Sequence, residues 1–202
     1  MARSSRETSR SLTVQAGSQG GYFTTKQALK SGYDYPHLKY HVSVGNFERV
    51  EHGLYRLPAI PLGEYDELIR FTLWSRNQKD LPQAVVSHES ALILHDLSEL
   101  LPTRTHLTVP PKFRKPAPRG CVLHKAALAS SDIEERDGFN VTTPLRTLLN
   151  VAAAGISQEQ LDKAVEAALT RGLVRRTVLE RTVRDELFRD RFAAALKKNK
   201  IK

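Results

Sequence analysis

Only one cysteine, Cys121, stands among the 202 residues, so no disulfide can form within the chain. A reducing compartment is the natural expectation. Nowhere does the chain carry an apolar run of about 18 residues, which a membrane-crossing helix needs. Its start (Arg3, Ser4, Ser5, Arg6, Glu7) is polar and lacks the apolar stretch of a secretory signal. A cytoplasmic protein without a membrane partner is therefore expected. No segment repeats at a period of about 20–50 residues, which argues against a solenoid. Acidic side chains are also short in supply: 22 against 31 lysines and arginines, a net charge of +9. Such an excess favours an anionic partner, nucleic acid first among them.

What is present is unevenly placed. Residues 1–57 carry +4, residues 58–170 carry −2 and residues 171–202 carry +7. A merely solubilising surface would spread its charge, so the two ends read as two electrostatic footprints or as parts of one.

The first 60 residues read as two short helices and a hairpin. Leu12, Val14 and Ala16 belong to an opening helix that ends by Gly20-Gly21. Thr24 or Thr25 caps the helix Lys26–Ser31, with Ala28 and Leu29 inward and Gly32 as its stop. Asp34 caps a second helix, Tyr35 to Val44, with Pro36 in its first turn. Leu38 and Val42 face inward at i, i+4 spacing. Phe47 to Val50 and Leu54 to Leu57 are strands across the turn Glu51-His52-Gly53. Helix, turn, helix and hairpin make a winged helix-turn-helix, whose second helix enters the major groove in DNA-binding members. The candidate DNA-binding residues are Thr24, Thr25, Lys26, Tyr35, His37, Lys39, Tyr40, His41 and Ser43, with Arg49, His52 and Arg56 on the wing. A second basic surface is expected from Arg171, Arg175, Arg176, Arg181 and Arg184, continued by the lysines that close the chain.

Beyond a linker at Pro58 and Pro61, strands alternate with helices. Tyr65 to Arg76 is amphipathic. Ala84-Val85-Val86 is a strand, and Ser87 caps the helix His88–Leu97. Thr105–Val109, Cys121–Leu123, Ile133 and Phe139–Val141 are strands. Thr143 and Ser157 cap two helices, and the remainder is helical and basic. The expected fold class is α+β, with an N-terminal winged helix-turn-helix (1–60) and a mixed α/β domain ending in helices (61–202).

Enzymatic readings are weak. His88, Glu89, Ser90 and His95 invite an acid–base role, but no nucleophile elbow accompanies them. Asp132, Glu134, Glu135 and Asp137 are clustered as a metal nuclease would need, yet they suit a strand edge and turn equally. His37 and His41 lack a third metal ligand nearby in sequence. Cys121 sits in an apolar strand as a small core residue. No catalytic residue, metal or cofactor is expected.

The run Gly-Gly-Tyr-Phe-Thr-Thr-Lys-Gln-Ala (20–28) and Phe-Glu-Arg-Val-Glu-His-Gly-Leu-Tyr-Arg-Leu (47–57) resembles the N-terminal domain of the AbiEi antitoxins of bacterial type IV toxin–antitoxin systems. Ser-His-Glu-Ser-Ala-Leu (87–92) and Val-Thr-Thr-Pro-Leu-Arg-Thr-Leu-Leu (141–149) resemble the C-terminal part of the same family. Asn150 stands where the pattern leads us to expect aspartate, and Asp96 where it leads us to expect glycine. The resemblance implies an autorepressor that binds double-stranded operator DNA with inverted repeats and counters a nucleotidyltransferase-like toxin. The alternative is a winged helix that neutralises a protein partner by direct contact.

Overall fold

The computed structural model of the protein describes residues 5–99, 102–184 and 187–198. Arg3, Ser4 and the lysines after Lys198 lie outside the described residues. The chain forms two compact units. One runs through Ala84 and takes in Glu135–Phe139; the other comprises Val85–Glu134 and the residues from Asn140 onward.

The first unit opens with α1 (Ser5–Gly17), followed by β1 (Tyr22–Thr24), α2 (Thr25–Ser31), α3 (Tyr35–Ser43), β2 (Glu48–Glu51) and β3 (Leu54–Arg56). β3 lies between β1 and β2, antiparallel to both; Tyr55 stands opposite Phe23 on one side and Arg49 on the other. The helix starts follow from local chemistry. Thr24 Oγ1 accepts the Gln27 backbone N–H, and Gln27 Oε1 accepts the Thr24 N–H in return, a capping box. Asp34 caps α3, accepting the His37 N–H at 2.8 Å. Gly32 ends α2 with φ 109°, and a Cβ there would meet Thr8 Oγ1 at 2.9 Å. Gly32→Ala is therefore expected to cost at least about 1–2 kcal/mol, the ordinary penalty of left-handed backbone for a side chain, read as a drop in denaturant midpoint at constant slope.

Leu12, Ala16, Phe23, Ala28, Leu38 and Phe47 form the core beneath these elements, with Val42 and Tyr55 half-buried against it. Phe23 stacks on Tyr55 with centroids 5.6 Å apart and meets Phe47 edge-on at 5.0 Å. Leu29, expected inward, is exposed instead, because the short α2 turns only its Gln27–Ala28 and Ser31 side to the core.

The helix expected over 65–76 is α4 (Asp66–Trp74), and it belongs to the first unit, not to the second. Three polar ties and one ring contact hold it there. Tyr22 Oη donates to Asp66 Oδ2 at 2.5 Å, Arg70 Nη1 meets Glu51 at 3.1 Å, and Arg76 Nη2 donates to Gln19 at 3.2 Å. Tyr65 lies against Phe139 with centroids 5.4 Å apart. Burial, and then the hydrogen bond to Asp66, push the Tyr22 phenol up to about 12, so it stays a donor.

The second unit is built on a five-stranded sheet made with β4 (Val85–Val86), β5 (Thr105–Val109), β6 (Cys121–Lys125), β7 (Ile133–Arg136) and β8 (Phe139–Thr142), in the order β6-β5-β4-β8-β7. β4 and β5 are antiparallel, whereas β5 and β6 are parallel and joined by the proline-rich segment 110–120 rather than by a helix. α5 (His88–Leu94) follows β4, and α6 (Pro144–Ala153), α7 (Gln158–Thr170), α8 (Arg176–Thr182) and α9 (Arg189–Lys198) complete the unit. Thr143 and Ser157 cap α6 and α7 as expected, each hydroxyl accepting a backbone N–H. Leu92, Leu148, Leu161, Val165, Leu179 and Phe192 are central to the helical core. α5 is shorter than expected: it stops at Leu94, and Asp96 takes φ 53°. A left-handed residue at 96 is why glycine suits that position in the family pattern. Arg171 Nη1 braces the turn, donating to the carbonyls of His95 (2.5 Å) and Asp96 (2.9 Å).

Candidate nucleic-acid interface

Two faces of the first unit carry the residues expected to meet DNA. The outward face of α3 presents Tyr35, Pro36, His37, Lys39, Tyr40 and Ser43 to solvent, with Val44 at the helix end. Some of these are already engaged. His37 Nδ1 lies 3.2 Å from the Asp34 carboxylate, and Ser43 Oγ donates to the Tyr40 carbonyl. His41 is packing rather than reading surface: its ring stacks on Phe47 at 4.7 Å and meets Tyr33, and its Nδ1 lies 3.1 Å from Asn46 Nδ2. Burial, then the neighbouring His37, hold its imidazole below the usual range. Lys39 and Tyr40 remain the outward side chains of the helix centre.

On the wing, Arg49 and His52 are exposed on the β2–β3 hairpin, with Arg49 Nη2 3.3 Å from His52 Nδ1. Gly53 takes φ 74° at the tip. Arg56 is turned inward. It is 9% exposed, its guanidinium donates to the Ile60 carbonyl, and Glu48 lies 3.7 Å away. The alternation of β3 puts Leu54 and Arg56 on the buried face and Tyr55 between them. Thr24 is occupied as the cap of α2, Thr25 N–H donates to the Gly53 carbonyl, and Lys26 Nζ donates to the Gln78 carbonyl at 2.7 Å.

The basic helices of the second unit divide likewise. Arg171 braces the 95–96 turn. Arg176 pairs with Glu180 at 2.9 Å and donates to the Leu196 carbonyl. Arg191 donates to the Ala152 and Ile156 carbonyls, and Lys198 pairs with Asp162 at 2.8 Å. These cations hold α6, α7, α8 and α9 together. Arg175, Arg181 and Arg184 are exposed.

A polar cluster that sequence reasoning assembled only in part lies at the start of α5. His88 is 9% exposed with φ 53°, and its ring stacks on His124 with centroids 3.5 Å apart. His124 Nε2 lies 3.1 Å from His106 Nδ1, and the Glu89 carboxylate is 4.0 Å from His106 Nε2. Thr108 Oγ1 donates to Ser87 Oγ (2.8 Å), which lies 2.9 Å from His88 Nδ1. Ser87 thus serves the imidazole and, contrary to expectation, makes no side-chain cap. Ser90 Oγ accepts the His106 backbone N–H, and His95 Nε2 lies 2.7 Å from the Thr142 carbonyl. Burial, then His124, His106 and Arg146, push His88 down to about 3. Burial also lowers His106, against the pull of Glu89, and lowers His124, with His106 adding to it. All three imidazoles are thus held below the usual histidine range. Asp132, one of the four clustered acids, faces Arg146 at 3.9 Å and accepts the Ala129 N–H. Among the described residues no three His, Cys, Asp or Glu side chains are arranged to hold a metal ion. No helix among them is long and apolar enough to cross a membrane.

A winged unit of helices and a three-stranded sheet thus accompanies a unit of five-stranded sheet and helices in one chain. Residues 84–195 match the AbiEi antitoxin C-terminal domain, and residues 16–58 match a family described as transcriptional regulator, AbiEi antitoxin. The chain belongs to the AbiEi antitoxin family, a family of antitoxins and regulators rather than enzymes. No curated protein matches the sequence. Among solved structures it is similar to the RV2827C protein from Mycobacterium tuberculosis, with 17% identity and a TM-score of 0.45, covering 98% of this chain and 83% of that one.

Proposed function

We propose that the protein is a DNA-binding autorepressor and antitoxin of a toxin–antitoxin operon. α3 enters the major groove of operator DNA, and Arg49 and His52 of the wing meet the backbone. The observation that carries this reading is the pairing of an outward, cation-bearing α3 with a wing that exposes Arg49 and His52 alongside Glu48, on a chain of net charge +9. Paired half-sites in an inverted repeat would engage two copies. Arg175, Arg181 and Arg184 form a second cationic surface in this reading. The family resemblance supports a nucleotidyltransferase-like toxin as the enzyme countered.

The test is binding to the duplex upstream of its own gene, against shuffled duplex, over a salt series. A strong preference that persists near physiological salt is expected. Lys39→Ala and Arg49→Ala should each weaken binding, and each phosphate left without its cation should reduce the slope of log K against log salt by about 0.9. Equal, weak binding to both duplexes would overturn the autorepressor reading. A second reading, direct contact with a protein partner through α3, is favoured by one feature: the apolar character of Tyr35, Tyr40 and Val44, which are all exposed.

A further inference from the structure

The side chains that α3 offers are unusual for a reading helix. In the major groove guanine is met best by arginine or lysine, adenine by asparagine or glutamine, and the thymine methyl by apolar groups. α3 contains no Arg, Asn or Gln. Two of its polar groups are spoken for, His37 by Asp34 and Ser43 by the Tyr40 carbonyl. The remaining outward side chains are Tyr35, Pro36, Lys39, Tyr40 and the end residue Val44. Tyr35 is 67%, Tyr40 59% and Val44 49% exposed.

Their spacing makes a pattern. Pro36, Tyr40 and Val44 follow at i, i+4 and i+8 and share one stripe, with Tyr35 and Lys39 on the row beside it. At about 1.5 Å rise per residue the stripe is about 12 Å long. That is the length of three to four base-pair steps of about 3.4 Å. An exposed apolar row of this kind has no role in the core. Building on the operator-binding reading, we infer that α3 recognises DNA chiefly through thymine methyl groups, packed against the Pro36–Tyr40–Val44 stripe, with Lys39 as its one charged contact. Sequence preference then rests on the placing of T·A pairs within a window of about four base pairs. DNA is favoured over a protein partner as the occupant because the stripe is flanked by Lys39 and because the helix's neighbouring carboxylate, Asp34, is tied to its own cap.

The test removes the methyl and nothing else from the base edge. Sites are selected by the full chain from a random-sequence duplex pool, and the winning duplex is then made with uracil in place of thymine. One methyl taken from an apolar contact costs about fourfold in affinity, so two or more should cost about tenfold or greater. Tyr40→Ala should bring the thymine-to-uracil affinity ratio close to one, Tyr40→Phe should preserve it, and Lys39→Ala should weaken both duplexes equally. Equal binding of the thymine and uracil duplexes by the unmodified protein would overturn the proposal and leave operator binding standing. So would an unchanged ratio in Tyr40→Ala. If no sequence is enriched at all, operator binding fails, and thymine recognition with it.

Discussion

Phe23→Ala is expected to unfold the winged unit under conditions where the intact protein is stable. Phe23 is fully buried, lies between Tyr55 and Phe47, and sits at the centre of the small core that positions α2 and α3. Truncating such a ring costs about 3–5 kcal/mol, against a total stability of about 5–15 kcal/mol for a typical domain. The single tryptophan, Trp74, and all six tyrosines lie in the first unit, so intrinsic fluorescence reports that unit alone. Unfolding followed by fluorescence should move to much lower denaturant in the variant, and sequence-selective DNA binding should be lost with it. An unmoved fluorescence transition would show that Phe23 is not the keystone of this core.

Acid should loosen the second unit. In the unfolded chain His88 takes its proton near 6.5, and in the folded chain only at about 3. The folded pKa is depressed, so as pH falls below 6.5 the unfolded state binds the extra proton and stability declines. The decline continues down to the folded value. From His88 alone the loss at pH 4 is about 3 kcal/mol. His106 and His124 are lowered too and add in the same direction, while Glu89 opposes them through its pull on His106. Arg146 adds to the cost of charging His88. His88→Asn keeps a residue that tolerates left-handed backbone and removes the titrating group. Stability measured by far-ultraviolet dichroism, with the fluorescence curve separating the first unit, should fall less steeply between pH 6.5 and 4 in the variant. Identical slopes in the two proteins would refute the assignment.

Local signals were the legible ones. The Thr24–Gln27 box, the Asp34, Thr143 and Ser157 caps and the glycine at 32 each depend on residues a few places apart, and each element begins or ends as those signals say. Pairings over distance were not legible. His106 and His124 stand 18 residues apart, and only the parallel register of β5 and β6, with Thr108 opposite His124, brings them together beside His88. The wing reads as two arginines and a histidine, yet strand alternation takes Arg56 into the interior. Likewise, α4 carries no mark of its allegiance in its own periodicity. Its place follows from Asp66 finding Tyr22 and Arg70 finding Glu51.

The hairpin tip Glu135–Phe139 counts with the first unit although the chain around it counts with the second. Gly138 shows what it does there. A Cβ at that position would come within 3.0 Å of Ile69, and Phe139 lies against Tyr65. The winged unit is therefore not a contiguous cassette. A transplant of residues 1–84 onto another regulator would leave Ile69 and Tyr65 uncovered unless the pentapeptide travelled with it.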